Sequence, residues 1–127
     1  MDEVERSLAR PAIGREREWS ENLGNQLRKL SSALEQHVVT TEGPEGLLTQ
    51  IVDVAPRLKH QVDIALDDHI QLRRQLGATL ASLSTERWRV DELREQATHL
   101  LGHLTRHRQL GADLVYEAYS VDIEGGD

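Results

Sequence analysis

Three of the six histidines in this chain stand where imidazole chemistry would be sheltered from water. His37, His69 and His107 each fall on the apolar stripe of a different predicted long helix, whereas His60 and His99 fall off these stripes. An imidazole in a leucine-rich stripe needs partners, because a buried unpaired polar group costs about 1–3 kcal/mol. Helical bundles build metal sites from inward side chains on facing helices. The pattern predicts either a metal site or a set of hydrogen-bonded core histidines.

The stripes that carry these histidines are rich in leucine. The chain has 19 Leu, no Phe and four aromatic residues, so its interior must be aliphatic, and Leu favours helix over strand. Apolar residues recur at alternating steps of three and four, which gives each helix one apolar face. The stripe positions include Leu23, Leu27, Leu30, Leu34 and His37; then Leu58, Val62, Ala65, His69, Leu72 and Leu76; and finally Leu93, Ala97, Leu100, Leu104, His107 and Leu114.

Glycine, proline and capping residues predict where the helices begin and end. Gly43-Pro44 ends a long helix over about residues 15–41, and a short helix follows over 45–54. Pro56 suits the first turn of a third helix that reaches about Leu83. Ser84-Thr85-Glu86 is expected to cap a last helix from about 86 to 119 or slightly beyond.

These elements predict an all-α protein, an up-down helical bundle of three long helices and one short helix, in the manner of a four-helix bundle. With the four helices alternating in direction, a rise of about 1.5 Å per residue allows the three stripe histidines to lie at similar heights. We expect three segments: a charged N-terminal segment (1–14) that adds little core, a single bundle domain (15–122) and a flexible tail (123–127).

Composition excludes several classes of function. The net charge of −7 argues against nucleic-acid binding, which needs clustered Lys and Arg. The absence of cysteine removes disulfides, thiolate metal sites and a thiol nucleophile. No apolar run approaches the roughly 18 residues of a membrane helix, and the first residues do not form a signal peptide. We therefore expect a soluble, cytoplasmic protein with no membrane partner.

Stretches around the histidines resemble the hemerythrin-like (HHE cation-binding) family of bacterial helical bundles. The likeness spans about residues 19–124. It rests on HVVTTEG at 37–43, APRL at 55–58 with LDDH at 66–69, and HRQLGADL at 107–114 with EAY at 117–119 and DI at 122–123. The resemblance implies non-haem iron, held in that family as a pair by histidines and carboxylates on facing helices.

The family pattern is only half kept in this chain. The family places Glu four residues after a His, or an acid five residues after it, but Thr41 and Gly111 follow His37 and His107 at the four-residue step. Glu42, five residues after His37, would replace one of these carboxylates. A pair of irons needs several anionic oxygens, which this stripe lacks.

The resemblance therefore predicts a reduced metal site. His37, His69, His107 and Glu42 would suit a single Fe or Zn ion with an open or water-filled position. His103, one turn before His107, is the additional ligand or the hydrogen-bond partner of a ligand. The alternative is a vestigial site whose histidines bond to one another, to Thr41 or to water.

Two functions follow from these alternatives. The first is a metal-binding bundle that binds or senses a small gaseous ligand of the O₂ type, or handles iron. The second is a metal-free structural or interaction bundle, either as a single chain or as a homodimer. Catalysis is not expected, because the chain has no catalytic motif and the neighbours Asp68 and His69 point about 100° apart on a helix.

Overall fold

The described part of the chain is all-α, as predicted. A computed structural model describes the backbone of residues 1–85 and 87–125 and the side chains of residues 1–85 and 87–120. Within these ranges there is no strand, and no helix is both long and apolar enough to cross a membrane. The elements are α1 (Asp2–Ala9), α2 (Glu16–Glu42), α3 (Leu47–Val54), a 3-10 turn (Pro56–Leu58), α4 (Lys59–Leu83) and α5 (Val90–Gly125).

The last helix differs from its predicted bounds at both ends. It begins at Val90, because the Ser84 and Thr85 hydroxyls donate hydrogen bonds backwards to the carbonyls of Ala81 and Ser82. These two side chains therefore close α4 and do not start α5. Glu86, the third residue of the predicted cap, lies outside the described residues.

At its C-terminal end α5 continues to Gly125, so residues 123–125 are helical where a flexible tail was expected. Residues 126–127 lie outside the described part of the chain, as do the side chains of 121–125. The predicted family stretch at 122–123 therefore has a described backbone but no described side chains.

The N-terminal segment packs on the long helices, contrary to the expectation that it would add little core. Val4 of α1 is only 2% exposed and belongs to the same apolar cluster as Trp19. The Arg94 guanidinium donates hydrogen bonds to the carbonyls of Leu8 and Arg10, at 3.2 and 3.1 Å, and lies 5.5 Å from the centre of the Trp19 ring. These contacts tie α1 to α2 and α5.

The three long helices alternate in direction. Contacts between α2 and α4 pair Glu35 with Arg73 and Glu42 with His69, so residue numbers rise on one helix as they fall on the other. Contacts between α4 and α5 follow the same order, from Asp68 with His107 to Gln75 with His103. The helices are therefore antiparallel neighbours, with α4 in contact with both α2 and α5.

This arrangement corrects the expected direction of α4 relative to α2. The prediction let the short helix run back along the bundle, which would make α4 parallel to α2. Eight residues of α3 span only about 12 Å, against about 40 Å for α2, so α3 cannot run the length of its neighbour. It packs across one end, in contact with α2, α4 and α5.

The core forms two apolar clusters. One contains Trp19, Leu27 and Leu72 and lies towards α1, and the other contains Ile51, Leu58 and Leu114 and lies towards α3. On α4 and α5 the stripe histidine lies between residues of the two clusters. On α2 it lies at the border of the first cluster. The described structure therefore surrounds the histidines with aliphatic side chains.

Candidate metal centre

Three imidazoles from three helices converge between the two apolar clusters. His37 of α2, His69 of α4 and His107 of α5 place one ligand atom each within 4.8 Å of one another. The Nε2 atom of His107 lies 3.1 Å from Nε2 of His69 and 3.3 Å from Nε2 of His37. His69 is 1% exposed and His107 is 9% exposed, whereas His37 is exposed to solvent. The structure thus brings together the three stripe histidines that the sequence singled out.

The rear nitrogens of the two buried rings are held by carboxylates. Nδ1 of His69 lies 2.9 Å from Oε2 of Glu42, and Nδ1 of His107 lies 3.0 Å from Oδ2 of Asp68. An ionised carboxylate can only accept a hydrogen bond, so each Nδ1 carries the proton and donates it. A neutral ring with its proton on Nδ1 has a bare lone pair on Nε2, which is the form that binds a metal.

This assignment leaves two bare nitrogens facing each other. With both Nδ1 protons donated to carboxylates, the Nε2 atoms of His69 and His107 are both acceptors, 3.1 Å apart. Two lone pairs at that distance repel, unless a cation lies between or beside them. A metal ion or a shared proton at this point would remove the repulsion.

The separations fit a metal ion. Zinc–nitrogen bonds of about 2.0–2.1 Å at tetrahedral angles put neighbouring nitrogens about 3.3 Å apart. Two Nε2 separations in the cluster are 3.1 and 3.3 Å, close to this value. Three imidazoles with carboxylates behind two of them form a donor set suited to a divalent transition metal.

The electrostatics keep the ligand atoms available near neutral pH. Burial lowers the pKa of His69 more than its hydrogen bond to Glu42 raises it. Partial burial also lowers the pKa of His37, and the neighbouring rings of His69 and His107 lower it further. Burial opposes the ionisation of Asp68, but hydrogen bonds from His103 and His107 outweigh it and lower the pKa of that carboxyl. His37 and His69 are therefore neutral, and Asp68 is charged, at pH 7.

Glu42 and His103, the other two predicted ligands, lie beside the cluster. Glu42 holds His69 from behind, on the nitrogen that points away from the other two rings. His103 donates from Nε2 to Oδ1 of Asp68 at 2.9 Å, and its Nδ1 lies 3.2 Å from Oε1 of Gln75. Both nitrogens of His103 are thus engaged, and the residue reaches the cluster only through Asp68.

Asp68 is the functional residue that the sequence argument missed. It accepts hydrogen bonds from both His103 and His107, which are one turn apart on α5. The argument considered Asp68 only with its neighbour His69, and these two do point apart. The sequence signal that was available is the pair His103 and His107, which share one face of α5 because they are four residues apart, so one acidic side chain of a facing helix can reach both.

One face of the cluster opens into a large apolar groove between α2 and α5. The groove has a volume of about 1000 Å³, and all three histidines line it. Aliphatic residues of α2, α3 and α5 form its walls, among them Leu34, Ile51 and Val115. A ligand of the metal would therefore approach through an apolar channel.

In comparisons with known proteins, no family model, no curated protein and no solved structure matches this chain.

Proposed function

We propose that this protein binds one divalent transition-metal ion, Fe or Zn, through the Nε2 atoms of His37, His69 and His107. The observation that carries the proposal is the pair of carboxylate-held rings of His69 and His107, whose bare Nε2 atoms are 3.1 Å apart and need a cation. Close approach of two acceptors costs energy without such a cation, and the one other ring nitrogen beside them is Nε2 of His37, at 3.3 Å from His107, which is itself a metal donor when unprotonated.

A single ion fits the side chains better than a metal pair. The carboxylates of Glu42 and Asp68 bond to the rear nitrogens of the ligands, so they are not placed to bridge two ions. Thr41 and Gly111 occupy the stripe positions one turn after His37 and His107, where a pair would need acidic side chains. Three imidazoles would leave at least one coordination position open, and all three histidines line the groove, from which a further ligand would reach the ion.

The proposed architecture is an up-down four-helix bundle of the hemerythrin-like kind, with α3 in place of a full fourth helix. The alternating directions of α2, α4 and α5 support it. With iron bound, the open position would take a small ligand of the O₂ type, so we propose small-molecule binding, sensing or iron handling rather than turnover of an organic substrate.

The second candidate is a metal-free interaction bundle, either as a single chain or as a homodimer. The apolar groove favours it, since Tyr116 and Val115 beside the groove are 67% and 37% exposed. In this reading a shared proton would lie between His69 and His107, and a second copy would cover the groove.

Metal analysis of untagged protein tests the first candidate. We expect about one equivalent of Fe or Zn after growth with either metal added, and loss of at least tenfold in metal affinity for His69→Ala. His99→Ala is the matched control, because His99 is an exposed histidine of α5 outside the cluster. Folded protein that stays metal-free at micromolar Zn²⁺ or Fe²⁺ would contradict the proposal. Sedimentation as a dimer that Tyr116→Glu dissociates would favour the second candidate.

A further inference from the structure

The groove above the three histidines is far larger than a diatomic ligand requires. Its volume is about 1000 Å³, whereas a molecule the size of water occupies about 30 Å³ of liquid. Along α2 its lining extends from Leu30 to Thr41, a length of about 17 Å. Pockets of this size and apolar lining in other proteins bury ligands with a sizeable apolar body.

The charges around the groove indicate the charge of the ligand that it would bind. Among the described residues that line it there is no Asp or Glu, although the chain as a whole carries a net charge of −7. Its basic lining residues are the three histidines and Arg108. Imidazole ligands bring no negative charge into contact with a divalent ion, and the carboxylates of Glu42 and Asp68 lie behind the rings of His69 and His107. An anionic group is therefore favoured at the open coordination position.

The shape of the groove argues for a flexible chain rather than a helix. Met1 lines the groove near α1, and Leu47 and Leu48 of α3 line it at the opposite end. A long helix with side chains, about 10 Å wide, would run into these end walls. A single aliphatic chain needs far less width and follows the aliphatic wall formed by Leu34, Leu104 and Val115.

We propose that the site binds an amphipathic monocarboxylate of the fatty-acid type. Its carboxylate occupies the open position of the ion held by His37, His69 and His107, and its aliphatic chain lies in the groove between α2 and α5. This inference rests on the proposed metal site and adds the class of ligand that the site takes.

Gly111 gives the means to test the chain-binding part alone. It lines the groove on α5, and a Cβ built on it meets no atom within 4 Å, so a larger side chain enters the groove without displacing the backbone. Gly111→Phe therefore fills groove space while it leaves the three ligands in place. Gly77→Phe is the matched control, because Gly77 is a helical glycine of α4 with equally open surroundings, exposed and away from the groove.

The experiment is a calorimetric titration of Co²⁺-loaded protein with decanoate, acetate and decanol, with the visible absorption of Co²⁺ recorded in parallel. We expect decanoate to bind at least tenfold more tightly than either acetate, which lacks the chain, or decanol, which lacks the charge. Decanoate should also change the Co²⁺ spectrum. Gly111→Phe should keep the Co²⁺ spectrum of the loaded protein and lose at least tenfold in decanoate affinity, while Gly77→Phe keeps both.

Each failure has a distinct reading. If Co²⁺ does not bind, the proposed function fails and the ligand inference falls with it. If Co²⁺ binds but decanoate binds no better than acetate or decanol, or if Gly111→Phe leaves the decanoate affinity unchanged, the ligand inference alone is overturned. A Co²⁺-loaded protein that sediments as a dimer and excludes decanoate would assign the groove to a second copy of the chain, which also overturns the inference.

Discussion

At the residue scale, Asp68 is the side chain that joins the histidines of α5 to the proposed metal site. One of its oxygens accepts from His107 and the other from His103. The first bond fixes the proton of His107 on Nδ1 and turns its Nε2 towards His69. The second keeps the carboxylate itself in place. A charged carboxylate that accepts a hydrogen bond from Nδ1 makes the Nε2 lone pair of the same ring a stronger electron donor to a metal. Asp68 should therefore raise metal affinity without touching the ion.

We predict that Asp68→Asn lowers Zn²⁺ affinity about 10- to 100-fold, since a neutral amide holds His107 less firmly and can turn the ring the wrong way. Competition with a chelating dye measures the effect. Asp67→Asn is the control, because it removes the same charge at the exposed neighbouring residue of the same helix. Equal losses in the two variants would mean that long-range charge, and not the hydrogen bond, supports the metal site.

The three stripe histidines could be predicted from the sequence more readily than the carboxylates that hold them. His37, His69 and His107 interrupt leucine stripes of regular spacing, and a polar residue in an apolar stripe is visible without a structure. Asp68 is not on a stripe, and its partners lie 35 and 39 residues away on a different helix. Only the register between α4 and α5 brings them together, and helix periodicity does not fix that register.

At the element scale, α3 and its connection to α2 set the end of the groove and the position of Glu42. The connection is tight at Gly46, where a Cβ would lie 2.6 Å from the carbonyl carbon of Thr41 and 2.9 Å from the carbonyl oxygen of Gly43. Both are backbone atoms, which cannot move away as the end of a flexible side chain would. Glycine is therefore required here for close approach of two backbone segments.

We predict that Gly46→Ala lowers the free energy of unfolding by more than about 1 kcal/mol, because the added methyl forces the α2–α3 connection apart. Gly77→Ala should act in the opposite direction and stabilise the protein by about 0.5–1 kcal/mol, since Gly77 is helical and its Cβ meets nothing within 4 Å. Urea unfolding of both variants measures the sign and size of each change in the free energy of unfolding. A neutral Gly46→Ala would show that the connection is more compliant than its packing indicates.

The same element explains where helix-level prediction succeeded and where it failed. The proline and glycine signals gave the short helix and its neighbours to within a few residues. The direction of α4 was wrong because the length of α3, and not its presence, decides whether the chain reverses. The role of α1 was missed because its anchoring depends on Arg94, which lies far along the chain and donates to two α1-side carbonyls.

At the scale of the whole molecule, the proposed metal site would couple metal binding to folding. Its ligands come from three separate helices, so the unfolded chain cannot present them together. An ion that binds only the folded state stabilises it by about 2.7 kcal/mol at a free concentration of 100 times its Kd. The same groups also make the metal-free fold sensitive to acid, through the lowered pKa values of His37 and His69.

The sign of the pH effect follows from these shifts. In the unfolded chain a histidine takes up its proton near pH 6.5, whereas the folded-state pKa values of His37 and His69 lie below that. The unfolded state therefore binds more protons as the pH falls below about 6.5, and the stability present at pH 7 is lost on acidification. Protons also compete with the metal for the same nitrogens, so the stabilisation by metal declines over the same range.

We predict that Zn²⁺ raises the melting temperature of this protein near neutral pH and that the increase disappears by about pH 5, where the unperturbed imidazole is mostly protonated. Thermal melts with Zn²⁺ and with a chelator, over a series of pH values, measure both effects. His69→Ala should show no Zn²⁺-dependent shift at any pH, whereas His60→Ala, altered at an exposed histidine of α4, should follow the unmodified chain. A Zn²⁺ shift as large at pH 5 as at pH 7 would place the bound ion on carboxylates and away from the three histidines.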